Sequence, residues 1–372
     1  MNAIEKKSQT LTKQDSLVLK GIAILFLIIY HCFVNEEIFS EYDVDFRPLG
    51  QYFVLRVNSW FKTCICIFTF ISGYGLLKSY DPEKPHSKEY TVKWTVRRCL
   101  KTLSGLWAAW VLLMIFCQII NGYPAKVYFG EGILKGIFYM AVEAAGGAEL
   151  LGTPSMTSVW WYIGAAVIYI ILLPVLSEAA EKFGYTCIMA VLFVIPRLLG
   201  TGFPGSMNPY TFLPMFLVGM CFSRYNVFEK LGNQRLFKNK KSDIIVQFLF
   251  WMLALAAAVI LYLRLPWKVL WEVNFVVCPL IFICFCKKYI LNIPVLRQVL
   301  AFFGKYSMNI YLIHSVLKNI VFTDFLYSLH YFWLIPTVLF AVSLACSVGI
   351  EALKRAVHYD KWVEKVTQRI IA

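Results

Sequence analysis

The sequence predicts an all-α fold, a polytopic membrane bundle of about ten transmembrane helices with both termini cytoplasmic. Three observations lead there. Hydrophobic residues make up 59% of the 372 residues and charged residues only 16%, where a soluble domain carries roughly a quarter charged. The apolar residues fall in blocks of 16 to 22, the length that crosses a hydrocarbon layer of roughly 30 Å. The Lys and Arg residues behind the net charge of +14 sit between these blocks. Membrane topology places them there, so the charge does not imply a nucleic-acid partner.

Residues 1–14 are polar and read as a cytoplasmic segment. The first apolar block, Leu17 to Val34, is too long for a signal-peptide core and lacks an A-x-A site, so it reads as a retained helix. The predicted spans are 17–35, 60–77, 100–121, 159–177, 184–199, 210–222, 244–263, 270–286, 299–321 and 332–352. The stretch 132–145 is also apolar. It holds Lys135 and Glu143 and stops at Gly146-Gly147, which predicts a short or re-entrant element inside a loop. With the N-terminus inside, the cytoplasmic segments hold 26 Lys and Arg residues and the outer segments 8. A full span at 132–145 would invert every later loop and erase that bias.

Residues 15–355 therefore read as one membrane domain. The tail, 356–372, is basic and amphipathic, with Trp362, Val363, Val366, Ile370 and Ile371 among Lys361, Lys365 and Arg369. Such a segment lies on the inner leaflet of the bilayer. The 11 cysteines are scattered through apolar blocks without metal-ligand spacing and read as small buried residues.

Ionisable groups inside spans are costly and mark candidate sites. His31 follows Lys20 by 11 residues in the first span. At about 100° per residue the two share one stripe, about 16 Å apart along the axis. A snorkelling lysine and a histidine bonded to a neighbouring helix is the plainer alternative. In the ninth span Ser307, Tyr311 and His314 recur at i, i+4 and i+7, one polar stripe. It either glues helices together or turns His314 toward the same cavity as His31. Ser72 and Tyr74 flank Gly73 near the inner end of the second span, where small residues permit close packing. Arg97, Arg98 and Lys101 suit a phosphorylated ligand or a positive-inside anchor. Trp160, Trp161 and Tyr162 form either an interfacial belt or a sugar-stacking platform. Glu143, in the preceding outer loop, is a candidate for orienting a histidine or binding an acceptor hydroxyl. His86, His330 and His358 read as solvated.

Together these pieces resemble the acyltransferase 3 family of integral-membrane acyltransferases. Lys20-x10-His31 is similar to the family's Arg/Lys-x10-His motif. Ile71-Ser72-Gly73-Tyr74-Gly75 is similar to its FxxSGY/F segment, and Arg97-Arg98-x-x-Lys101 to its basic motif before the third helix. Trp160-Trp161-Tyr162-Ile163, followed by Tyr169 and Pro174, resembles its W-[YF]-L block. Gly304 to His314 resembles its late G-x-x-S-x-x-x-Y-L-x-H block. The likeness covers residues 15 to 355, in the family's order. A glutamate that one branch carries after the W-x-L block is replaced here by Ala165 and Ala166, so its role does not transfer. The added extracytoplasmic hydrolase-like domain of some members is absent from this sequence.

The resemblance implies transfer of an acyl group, usually acetyl, from cytoplasmic acyl-CoA to a hydroxyl of a cell-surface polysaccharide, without a metal, at the bacterial plasma membrane. Lys20, Arg97, Arg98 and Lys101 are then expected to hold the donor's phosphates. The acyl-pantetheine arm would run along the stripe to His31, the expected general base or acyl carrier. His314 would act second or orient the acceptor, and Ser72, Tyr74, Trp161, Tyr311 and Glu143 would line the substrate path. The rival class is a non-enzymatic transporter or flippase of a glycan or lipid-linked intermediate. It predicts broken helices and inverted repeats, which the sequence does not contain. Replacement Arg98→Ala is expected to raise the KM for acyl-CoA about tenfold and to leave kcat nearly unchanged, as steady-state thiol release would measure.

Overall fold

The structure, a computed structural model, describes residues 10–80, 86–200, 203–267 and 269–371. Residues 1–9 of the polar N-terminal segment lie outside them. The described residues are overwhelmingly helical. Their β-pairing is an isolated bridge between Asp45 and Tyr331. In hydrocarbon this is the expected solution, because a helix satisfies its own backbone donors and acceptors.

The principal helices are α1 (Lys13–Cys32), α2 (Gln51–Trp60), α3 (Cys64–Tyr80), α4 (Lys88–Asn121), α5 (Ile133–Ala144), α6 (Trp161–Phe183), α7 (Tyr185–Leu198), α8 (Pro209–Arg224), α9 (Lys240–Arg264), α10 (Cys278–Lys288), α11 (Pro294–Val316), α12 (Leu334–Ala356) and α13 (Tyr359–Ile371). Among the described residues, seven helical stretches are long and apolar enough to cross a membrane: Lys13–Cys32, Gln51–Tyr80, Lys88–Asn121, Ser158–Phe183, Lys241–Arg264, Val273–Asn292 and Leu334–Ala356. The other three predicted spans are helices as well. α7 has 14 residues and α8 has 16. α11 has 23 residues and continues into a π-helical turn, Leu317–Val321.

The two largest differences from the sequence reading are at helix starts. The second span begins at Gln51, because a 3₁₀ turn (Phe61–Thr63) joins α2 to α3 without a break. The third begins at Lys88, where the Ser87 side chain caps the helix by accepting from the Tyr90 amide at 3.1 Å. Hydropathy reports only the apolar part of such a helix. Arg97, Arg98 and Lys101 consequently stand on α4 itself. The 132–145 stretch forms α5, of 12 residues, and the chain turns at Gly146 with φ 74°. At 1.5 Å per residue α5 is about 18 Å long, too short to span.

The described residues form two compact units. One comprises the described residues of 10–26, 56–80 and 173–305, the other those of 27–55, 86–172 and 306–371. In the first unit α1 and α11 meet backbone to backbone. A Cβ on Gly21 would lie 2.0 Å from the Leu300 carbonyl oxygen, and one on Gly304 would lie 1.8 Å from that of Leu17. α3 and α8 do the same through Gly73 and Gly219, whose added Cβ atoms would stand 2.1 Å from Phe216 O and 2.3 Å from Phe70 O. Between helices in lipid, close packing of this kind takes over from hydrophobic burial as the source of association. The N-terminal end of α1 is also clamped by charge. Buried Asp15 pairs with Lys287 and Arg297, each at 2.8 Å.

In the second unit α13 packs along α4. Tyr359 donates from its hydroxyl to the Ser104 carbonyl at 2.8 Å, and Arg97 pairs with Glu364 at 2.5 Å.

Gly304→Ala is expected to lower the thermal midpoint of the detergent-solubilised protein, at a cost of about 1–3 kcal/mol for overpacking. Gly349→Ala, where an added Cβ meets nothing within 4 Å, is expected to leave the midpoint unchanged.

Candidate functional site

His31 is in the last turn of α1 and His314 in the last turn of α11. Each stands ten residues after a close-packed glycine, Gly21 and Gly304. Their rings meet edge to face in the second unit, with centroids 5.1 Å apart. The structure thus brings together two imidazoles that the sequence placed on the stripes of separate helices.

His314 is fully buried. Its Nδ1 lies 2.8 Å from the Tyr311 carbonyl oxygen and 3.1 Å from that of Ile310. A carbonyl only accepts, so Nδ1 carries the proton, and the neutral ring presents Nε2 as its basic nitrogen. Nε2 is buried and has no hydrogen-bond partner among the described residues. His31 is half-buried beside it. This arrangement can take a proton from a hydroxyl placed at Nε2.

The helix turn that carries His314 is pinned to the chain leading into α6. Trp160 Nε1 donates to Leu312 O at 2.8 Å, and the Tyr311 hydroxyl donates to Val159 O. Thr157 and Ser315 share a hydroxyl–hydroxyl bond of 3.0 Å, and Asn319 donates to Ser315 at 3.2 Å. Tyr311 is therefore an anchor for this turn. Beside it lies a narrow cleft lined by Glu143, Glu149, Ser155, Thr157, Trp160 and Trp161. Trp161, expected along the substrate path, is mostly buried in that lining.

Glu143 does not bond either histidine. Its Oε2 accepts from Trp110 Nε1 at 2.8 Å and from the Tyr128 hydroxyl, and its Oε1 accepts from the Met156 amide at 2.8 Å. Burial pushes its carboxyl above the usual carboxylate range, and the three donors oppose that rise. The residue ties α5, α4 and the 153–157 loop into one wall of the cleft.

The candidate phosphate-binding residues differ in availability. On α4, Arg97 is engaged by Glu364, Arg98 lies over the Trp94 ring at 5.7 Å, and Lys101 is exposed. Lys20 on α1 is half-buried and forms no ion pair or hydrogen bond among the described residues. Ser72 bonds back to its own helix, at Phe68 O, 2.9 Å away. Buried Tyr74 accepts from the Leu11 amide at 3.3 Å. In the first unit, then, the segment around Gly73 packs helices and anchors the chain entering α1.

One residue of the site went unremarked as a candidate in the sequence. Lys318, in the π-helical turn after α11, is 4% exposed. It follows Ser307 by 11 residues and His314 by 4, so it extends the stripe already visible there. The spacing alone was enough to find it.

The acyltransferase domain family model (acyltransferase 3) matches residues 17–352, nearly the whole chain. No curated protein and no solved structure matches it.

Glu143→Ala is expected to strand the Trp110, Tyr128 and Met156 donors, at roughly 1–3 kcal/mol for each one left buried. Faster amide hydrogen exchange across 143–157, with exchange in α9 unchanged, would be the measured consequence.

Proposed function

The chain belongs to the acyltransferase 3 family, and from that premise we propose that it moves an acyl group, acetyl first among them, from acyl-CoA to a hydroxyl of a cell-surface or extracellular polysaccharide. The reading includes ten spans with both termini cytoplasmic in a bacterial plasma membrane. The positive-inside bias supports it, as does the fall of every predicted span on a helix. In this orientation the basic residues of α4 and α13 face the compartment that holds acyl-CoA.

The observation that carries the reading is the His31–His314 pair, with one ring nitrogen held as a donor and the other left open. Sequence reasoning favours His31 as the base. The geometry favours His314 Nε2 for the proton transfer, with His31 beside it to orient the reacting groups. The acceptor hydroxyl adds to the thioester carbonyl as its proton passes to Nε2. The carbon–sulfur bond then breaks, and the departing thiolate takes that proton, so the imidazole returns to its starting state. Neither a metal nor an outside oxidant enters. Arg98 and Lys101 hold donor phosphates, and Arg97 joins them when Glu364 releases it. The glycan approaches from the side of the molecule where Trp161 and Glu143 line the cleft.

Release of thiol from acetyl-CoA by the purified protein, with a glycan acceptor present, tests the reading. His31→Ala and His314→Ala are each expected to lower kcat by about 10²–10⁴. The double variant is expected to be no slower than the worse single one, as for groups that act as a unit. A single variant at near wild-type rate removes that histidine from the chemistry. In cells, loss of the gene should remove an ester from the surface glycan.

A further inference from the structure

Lys318 stands one turn past His314, in a π-helical segment. Turns of this type insert an extra residue and recur at functional sites. Its ammonium nitrogen lies 5.9 Å from the centroid of the Tyr327 ring. The Tyr327 hydroxyl donates to the Cys32 carbonyl at 2.7 Å, and Cys32 follows His31 directly. The amine is thus bracketed by the two histidines, one turn from the first and one side chain from the neighbour of the second.

No described residue neutralises it. Among the described residues Lys318 forms no ion pair and donates no hydrogen bond. The contrast with other buried charges is direct. Asp15 has Lys287 and Arg297, and Glu143 has three donors. A lysine near a span end ordinarily snorkels to the interface, yet this one is held inside. Leaving an ammonium desolvated and unpaired is costly, and intramembrane charges kept at that cost mark function. It stands one turn from the other open polar group of this helix, His314 Nε2.

We propose that Lys318 is a catalytic residue, the cation that stabilises the oxyanion of the acyl-transfer intermediate. The proposal rests on the acyltransferase reading and deepens it. When the acceptor oxygen bonds to the thioester carbon, the carbonyl π pair moves onto oxygen and the hydroxyl proton moves to His314 Nε2. The new negative charge falls beside the Lys318 ammonium. On collapse the carbonyl re-forms, the carbon–sulfur bond breaks, and the thiolate leaves with the proton from His314. Lys318 keeps its protons throughout. A cation fixed in a low-dielectric site needs no reorganisation when this charge appears, which is why such groups lower barriers effectively.

Lys318→Met and Lys318→Gln remove the charge, and Lys318→Arg retains it. With acetyl-CoA and a glycan acceptor, both neutral variants are expected to lose about 10²–10³ in kcat. Their KM for acetyl-CoA should stay within about threefold of wild type, and arginine should recover at least about tenfold of the loss. A neutral variant with kcat within about threefold of wild type overturns the proposal. So does a defect confined to KM, which would assign the amine to a donor phosphate. Aggregation of both neutral variants also overturns it, since an ammonium required for folding is not one held open for an anion. Absence of transfer by the wild-type protein would sink the acyltransferase reading itself, a result separate from any of these.

Discussion

Hydrocarbon offers no water to an unpaired polar group, and the rest of this structure follows from that constraint. The backbone answers it by remaining helical almost throughout. Most polar side chains answer it by bonding within a turn or across a helix contact. Ser72 returns to its own helix, Asp15 collects two cations, and Glu143 collects three donors. Against this background the exceptions carry information. His314 Nε2 is buried without a hydrogen-bond partner, and one turn on the buried Lys318 side chain forms no ion pair among the described residues.

Holding those groups requires rigid neighbours, and the packing supplies them. α1 and α11 touch through Gly21 and Gly304 with no side chain between. A contact of backbone on backbone has little slack, since neither partner has a rotamer to change. The turn at His314 is fixed separately by Trp160, Tyr311, Thr157 and Ser315. These residues do not perform the chemistry, but they hold the imidazole in one tautomer and one direction. Catalytic groups need that precision, because small misplacements are expensive in rate.

The basic cluster of α4 is built differently. Arg97 is engaged with Glu364 of the C-terminal helix. Arg98 lies over Trp94, and Lys101 is exposed. Surface pairs of this kind are weak, about 0–1 kcal/mol, so an anion can displace Glu364 from Arg97 at little cost. The rigid histidine pair and the exchangeable cation cluster match two tasks, one geometric and one electrostatic.

Much of this was legible in the chain. Apolar blocks imposed membrane-spanning helices, because the length of a span is set by bilayer thickness. The stripe Ser307–Tyr311–His314 and the Lys20–His31 spacing were visible because a single helix has a fixed period, and Lys318 lay on the first of these stripes for the same reason. Helix starts were less legible, as at Lys88, where a cap and helix-forming polar residues extend the helix beyond its apolar core. Three things were decided only by tertiary structure: that His31 meets His314, that Glu143 serves Trp110, Tyr128 and Met156, and that Lys318 has no counter-ion. Each depends on which side chains from distant parts of the chain converge, and local periodicity holds no record of that.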